Sequence, residues 1–339
     1  MDNLTNQSLL DFISGFPQGV SAGEIEREFK TPRTSLNRRL RELVGTKQLI
    51  VTGKGPATRY HSADSLASLR AYFAKPHTER TQAPYDEARL APLPALSAET
   101  EQKFSRLPQY LLDKRALSKF LIDFSCASSA LEGGTYSLLD TQALIEYGEK
   151  ATDKPLRDAF LVLNHKEAFE YLYDHMELAS IYKVQDLLTS DHDIPELEDA
   201  PHFLAKTDRG IVREHSDVDI RLSTYLPPFR PGTGYLQEML DKVLKAAEAI
   251  DHPIQACFYL LSRIAYLQPF KDGNKRTARA LCNVPLIKAK LPPISFVDFG
   301  KQDYLVSMLA FYELGDIRLL ERCFVEAYTK STVRLGSKR

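Results

Sequence analysis

The stretch "LQPFKDGNKRTARALCN", from Leu267 to Asn283, decides how this chain is read. It follows the apolar run "IQACFYLLSRIAYL" and gathers Pro269, Phe270, Asp272, Gly273 and Asn274 just before Lys275, Arg276 and Arg279. Gly273 and Asn274 open a helix, and the first N–H groups of a helix have no intrahelical partner. That makes an anion hole. Lys275, Arg276 and Arg279 add positive charge. Arg276 and Arg279 are three residues apart, so they share a face and can grip successive phosphates. Asp272 can hold an Mg2+ that bridges phosphates. Phe270, Ala280 and Leu281 are the apolar pins of the turn. A di- or triphosphate suits this set. The plainer alternative is a solvated basic helix start with Asp272 as its cap. A neutral glutamine, Gln268, stands before Pro269.

The rest of the chain sets the frame. Its 339 residues suffice for two domains. Forty-four Lys and Arg nearly cancel 45 Asp and Glu, so any charge signal is local. Cys126, Cys257, Cys282 and Cys323 are far apart in apolar surroundings and read as buried thiols of a reducing, cytoplasmic protein. The first residues lack the basic start and apolar run of a signal peptide. No apolar run reaches the roughly 18 residues a membrane span needs, so no membrane is expected. An oligomer is compatible with the sequence. Residues 76–104 hold a cluster of prolines and read as a linker between a module at 1–75 and a helical domain at 105–335. After the linker, apolar residues recur at three and four spacing in "LSKFLIDFSCASSALEG", "LDTQALIEYGEKA", "LRDAFLVLNHKEAFEYLYDHM", "YLQEMLDKVLKAAEAI", "GNKRTARALCNVPLIKAK" and the C-terminal run from Lys301. Residues 207–231 alternate weakly and end in prolines, which predicts a β-hairpin or extended flap.

Residues 7–61 follow another pattern. "QSLLDFIS" forms a first helix, and "SAGEIEREF" a second, with Ser21 and Glu24 at capping-box spacing. "KTPRTSLNRRLRELVG" forms a third, with Leu36, Leu40 and Leu43 on one face and Arg38 and Arg39 expected on the exposed face opposite. "QLIVTGKGPATRYH" reads as strand, turn, strand. This order resembles a winged helix-turn-helix. Arg33, Arg38, Arg39, Arg41, Lys47, Lys54 and Arg59 stand against one acid, Glu42, within that span. Such a face would neutralise DNA phosphates, with Arg33, Thr34, Ser35 and Asn37 near base edges. The alternative is a protein-interaction module whose basic face is merely solvated.

The opening stretch resembles the signature of the Fic family, HxFx(D/E)GN(G/K)RxxR, at Phe270, Asp272, Gly273, Asn274, Lys275, Arg276 and Arg279. It departs at the first position, where the family has histidine and this chain has Gln268. "CASSALEGG" is similar to the family's inhibitory motif, (S/T)xxxE(G/N), at Ser128, Glu132 and Gly133. The likeness covers roughly residues 105–330. The fold class expected is therefore mainly α, a helical Fic-type core with a small β-hairpin flap, plus the N-terminal winged helix. The resemblance implies an ATP and Mg2+ site. Asp272 would bind the metal, Gly273 and Asn274 would cradle the α- and β-phosphates, and Arg276 and Arg279 would meet the β- and γ-phosphates. Glu132 would pair with Arg279 and keep the γ-phosphate from seating. A protein target would dock at the flap as an added strand.

The family's histidine is its general base. Glutamine can orient a hydroxyl but cannot take its proton, and losing a base lowers rate by ~10²–10⁴-fold. The expectation is a nucleotide-binding protein with impaired or altered nucleotidyl transfer, coupled to a DNA-binding module, with an autoinhibited protein adenylyltransferase as the alternative. His202, just before the flap, and His215, within it, are the other imidazoles that could replace the base.

Overall fold

The fold is that of a computed structural model, which describes residues 4–16, 18–46, 48–63, 69, 71–92, 96–104, 107, 109–198, 200–215 and 218–336. These divide into two units. The first comprises Met1–Ala83, Ile220–Tyr225 and Leu305–Leu319; the second comprises Pro84–Asp219, Leu226–Tyr304 and Leu320–Arg339.

The first unit opens with α1 (Asn6–Ser14), α2 (Ala22–Phe29) and α3 (Arg33–Gly45), then the antiparallel pair β1 (Leu49–Thr52) and β2 (Arg59–Ser62). Ser21 and Glu24 form the expected capping box, which satisfies two amide donors at the start of α2. Leu36, Leu40 and Leu43 turn one face of α3 onto Leu9, Ile13, Ile25 and Leu49. The turn after β1 requires glycine. Gly53 has φ +73°, and a Cβ there would lie 2.1 Å from the Ala57 carbonyl oxygen.

The basic face is smaller than the sequence suggests. Arg38, Arg41 and Lys54 are exposed. Arg39 is half-buried and donates to the Asn6 side chain at 3.2 Å, so it does not share the exposed position expected for it with Arg38. The count of a single acid fails in space, because α2 brings Glu26 to within 2.7 Å of Arg33 and Glu24 to within 2.5 Å of Arg59. Lys47 lies outside the described residues.

Arg80 is buried against Glu313, bonding its two carboxylate oxygens at 2.8 and 2.9 Å. Glu313 also accepts from the Ser223 hydroxyl at 2.9 Å and the Thr224 N–H at 3.0 Å, while Arg80 donates to the Leu222 carbonyl. A π-helical turn, Ala310–Leu314, positions this glutamate.

The second unit is helical: α4 (Ala98–Phe104), α5 (Lys114–Leu131), α6 (Leu138–Tyr147), α7 (Leu156–Asp174), α8 (Ile181–Leu188), α9 (Tyr235–Glu248), α10 (Pro253–Leu267), α11 (Asn274–Leu281) and α12 (Asn283–Lys288). Two further helices, α13 (Lys301–Leu309) and α14 (Arg318–Gly336), each have residues in both units. Every residue of α10 from Ile254 to Leu267 is buried, as expected of a helix that is apolar all round. Around it pack α9, α11 and α12, and α7 joins α5, α8 and α11. The run "GNKRTARALCNVPLIKAK" breaks between α11 and α12, because Pro285 has no N–H to donate to the Leu281 carbonyl four residues back. The eight-residue α8 escaped the periodicity reading.

Two expectations change here. Residues 84–104 are not a loose linker. Leu90, Leu96 and Phe104 are buried. The Leu96 N–H and carbonyl bond the Gln255 side chain at 2.8 and 3.2 Å. The flap at 207–231 is not a hairpin. Among its described residues only β4 (Tyr225–Leu226) is strand, and it pairs with β3 (Ala83–Pro84). The groups a hairpin ladder would use are bonded elsewhere. The Gly210 N–H donates to Gln185 at 2.5 Å, and the Arg213 N–H donates to the Pro269 carbonyl at 2.9 Å.

Removing one partner of a buried ion pair strands the other charge. Arg80→Ala is expected to cost about 3–5 kcal/mol in denaturant unfolding, and Arg80→Met with Glu313→Leu to recover much of it. A loss below about 1 kcal/mol for Arg80→Ala, the scale of exposed pairs, would contradict this.

Candidate functional site

The loop between α10 and α11 is held by its own side chains. Gln268 ends α10 in the left-handed region, φ 52°. Asn274 is buried; its Oδ1 accepts from the Phe270 N–H at 2.9 Å, and its Nδ2 donates to the Phe270 carbonyl at 2.8 Å and to Gln268 Oε1 at 2.9 Å. Gln268 Nε2 donates to the Ala265 carbonyl at 2.6 Å. Each end of the Gln268 amide therefore has a partner, and the residue is 8 % exposed. It is a brace between the end of α10 and the start of α11.

Gly273 takes φ +80°, and a Cβ there would come within 2.8 Å of the Thr189 methyl. Its N–H donates to Asp272 Oδ1 at 2.5 Å. The other carboxylate oxygen of Asp272 meets Arg276 at 3.1 Å. Arg276 is buried and also donates to the carbonyls of Leu188 and His202, at 2.7 and 3.0 Å. Of the two arginines expected to grip phosphate, Arg276 is thus tied into the scaffold.

Arg279 faces the other motif. It is fully buried, and its Nε donates to Ser128 Oγ at 2.8 Å. Its Nη2 meets Glu132 Oε1 at 2.7 Å and the Ser128 carbonyl at 3.3 Å. Glu132 caps the C-terminus of α5, and Gly133 follows at φ +102°. The second oxygen, Oε2, lies 3.4 Å from Lys275 Nζ. Burial opposes ionisation of Glu132, but the charges of Lys275, Arg279 and Arg276 outweigh it and hold the carboxyl well below the usual range.

Two histidines border the site. His165 is fully buried, with Nδ1 2.6 Å from the Leu161 carbonyl. Burial pushes it down to about 3, and the neighbouring arginines push the same way. His202 is half-buried beside Arg276 at φ +82°; burial and then the Arg276 charge lower its pKa. His215 is exposed.

Three residues that hold the site were not anticipated. Gln185 donates to the Asp272 carbonyl at 3.0 Å. Arg213 donates to the Gln268 carbonyl at 2.8 Å and the Pro228 carbonyl at 2.7 Å. Asn283 bonds the Arg279 carbonyl at 3.1 Å and both backbone groups of Ile294. For Gln185 and Asn283 the available signal was polarity at helix positions whose neighbours are apolar, since buried polar groups need partners.

The donor set permits a metal only in company. Among the described residues no three His, Cys, Asp or Glu side chains gather as a metal site. Asp272 is one half-exposed carboxylate. Mg2+ is commonly held by one or two carboxylates with phosphates and water completing its shell, so the residues fit a nucleotide-borne ion and not a resident one.

Residues 155–286 match the Fic/DOC family. The stretch at 128–133 lies upstream of the matched span. The chain is 28% identical over 236 residues to the protein adenylyltransferase Fic of Nematostella vectensis, covering 67% of this chain and 53% of that protein. It is 26% identical over 215 residues to the protein adenylyltransferase fic-1 of Caenorhabditis elegans, covering 60% and 39%. The chain thus spans about half or less of these relatives. Its fold resembles Fic-1 from C. elegans, with a TM-score of 0.53 at 22% identity over 70% of this chain and 68% of that one. It also resembles a Fic family protein from Desulfovibrio desulfuricans, with a TM-score of 0.52 at 19% identity over 76% and 77%.

His165 gives this site an acid liability. Its folded pKa of about 3 is below the unfolded value near 6.5, so the unfolded chain binds the extra proton. The stability it protects is complete above pH ~6.5 and falls as pH drops toward about 3, by up to about 4 kcal/mol. Unfolding free energy measured across this window should fall less steeply in His165→Gln. Equal slopes would show that His165 does not carry the loss.

Proposed function

We propose that the Fic domain binds ATP with Mg2+ and that its adenylyl transfer to a protein hydroxyl is impaired. The observation that carries this reading is the occupied amide of Gln268, at the position where the family has its histidine. Transfer requires the hydroxyl oxygen to attack the α-phosphorus while the bond to pyrophosphate breaks and the hydroxyl proton leaves. Gln268 cannot accept that proton, and Ala265 and Asn274 already hold its amide. Asp272 would hold the Mg2+, which would neutralise phosphate charge. Asn274 keeps the loop in shape for the nucleotide, and Arg279 receives the terminal phosphate once Glu132 moves. Positioning and charge stabilisation supply most of phosphoryl-type catalysis, so binding persists while transfer slows.

A second reading is an active protein adenylyltransferase held in check by Glu132. The names of the relatives favour it, as does His202, an imidazole beside Arg276. The target would dock near β4, where Leu226 is exposed. We further read the first three helices and the β1–β2 hairpin as a winged helix that binds DNA through Arg38, Arg41 and Lys54, making the whole a nucleotide-responsive regulator. The pairing of Arg33 and Arg59 with acids leaves this face modest in charge.

Incubation with labelled ATP and Mg2+ separates the two readings. Wild type should label itself or lysate proteins weakly. Gln268→His with Glu132→Gly should raise labelling tenfold or more, within the ~10²–10⁴-fold range of a general base. Enzymatic labelling by wild type would replace the first reading with the second. For DNA, Arg38→Glu with Arg41→Glu in the full chain should weaken binding and flatten its salt dependence. Absence of salt-dependent binding by wild type at low salt would end the DNA proposal.

A further inference from the structure

We propose that Lys275 has two opposed roles: it clamps Glu132 while the site is closed, and it binds the terminal phosphate of a nucleoside di- or triphosphate once Glu132 leaves. The inference rests on the nucleotide reading above and adds a residue-specific consequence to it.

The geometry assigns the two oxygens of Glu132 to different cations. Oε1 meets Arg279 at 2.7 Å and Oε2 meets Lys275 at 3.4 Å. Lys275 and Arg279 are four residues apart on α11, the spacing that sets two side chains on one face. Together they bridge one carboxylate. They differ in exposure: the Arg279 side chain is 0% exposed, that of Glu132 8% and that of Lys275 36%. Lys275 is therefore the solvent-side latch and Arg279 the buried anchor. The remaining cation of the helix is neutralised separately, since Arg276 pairs with Asp272. The charge of Lys275 also contributes most among the groups that keep Glu132 ionised.

Charge balance then sets the consequence. When Glu132 swings away, Lys275 and Arg279 lose the anion they share and converge on the vacated point. A terminal phosphate carries the charge and the acceptor oxygens to replace a bridging carboxylate. Removing Lys275 should therefore help a nucleotide enter while Glu132 is present, because the latch is weaker. It should hinder binding when Glu132 is absent, because a phosphate ligand is gone. A residue that served only the closed state, or only the ligand, could not change the sign of its effect.

Calorimetry of ATP with Mg2+ on the full chain tests this in four forms: wild type, Lys275→Gln, Glu132→Gly and the double variant. Lys275→Gln should tighten binding about threefold in the wild-type background, the scale of a partly exposed ion pair. In the Glu132→Gly background it should weaken binding about tenfold, the scale of a charge-assisted hydrogen bond. Lys275→Met should reproduce both signs, which ties them to the charge and not to glutamine. AMP, lacking the terminal phosphate, should lose the second effect. An effect of one sign in both backgrounds, or none in either, overturns the inference while leaving the nucleotide reading intact. No ATP binding by any form overturns the nucleotide reading and the inference with it.

Discussion

Arg279 is wholly buried, and the carboxylate it meets at 2.7 Å belongs to a residue at the end of another helix. A guanidinium in that position demands an anion. Taking away one partner of a buried pair leaves the other uncompensated, which is far costlier than losing an exposed ion pair. Glu132 supplies the anion, with Ser128 adding a hydroxyl and a carbonyl. The pair fixes α5 against α11, and it also defines what can replace it. Only a ligand that brings negative charge to the same point compensates Arg279 when Glu132 departs. Burial thus makes one interaction both a structural tie and a demand for negative charge at that point.

The loop before α11 depends on a second set of ties. Asn274 bonds both backbone groups of Phe270 and the amide of Gln268. Arg213 bonds the carbonyl of Gln268, and Gln185 that of Asp272. Arg276 reaches the end of α8. A loop so fully satisfied is pre-organised, and Gln268 fits that pattern. Its two amide ends complete bonds that an imidazole would complete differently. Gln268 holds Asn274, which in turn shapes the loop before α11.

The helical core and the signature were legible because both rest on local rules. The three- and four-residue apolar spacing of α5, α7 and α9 follows from one buried face, and the glycine at 273 from a left-handed turn where a Cβ would meet the Thr189 methyl. The motif resemblance singled out both Glu132 and Arg279, although 147 residues separate them. What escaped were long-range pairings with no local mark. Arg80 with Glu313, Gln185 with Gly210, and β3 with β4 each join segments that look polar and loose in isolation. The expected hairpin at 207–231 failed for this reason: alternation is a property of the segment, but its hydrogen bonds go to other parts of the chain. Local charge misled at Arg33 and Arg59 for the same cause, because the acids that meet them come from α2.

The central claim is that Glu132 stands where a terminal phosphate would bind. A crystal structure of Glu132→Gly with ATP and Mg2+ measures this directly. The account predicts a terminal phosphate oxygen within hydrogen-bond distance of Arg279 Nη2, in the space the Glu132 carboxylate holds in the wild type, with the triphosphate running along the start of α11. A nucleotide bound elsewhere, or one whose phosphates stop short of Arg279, would contradict it.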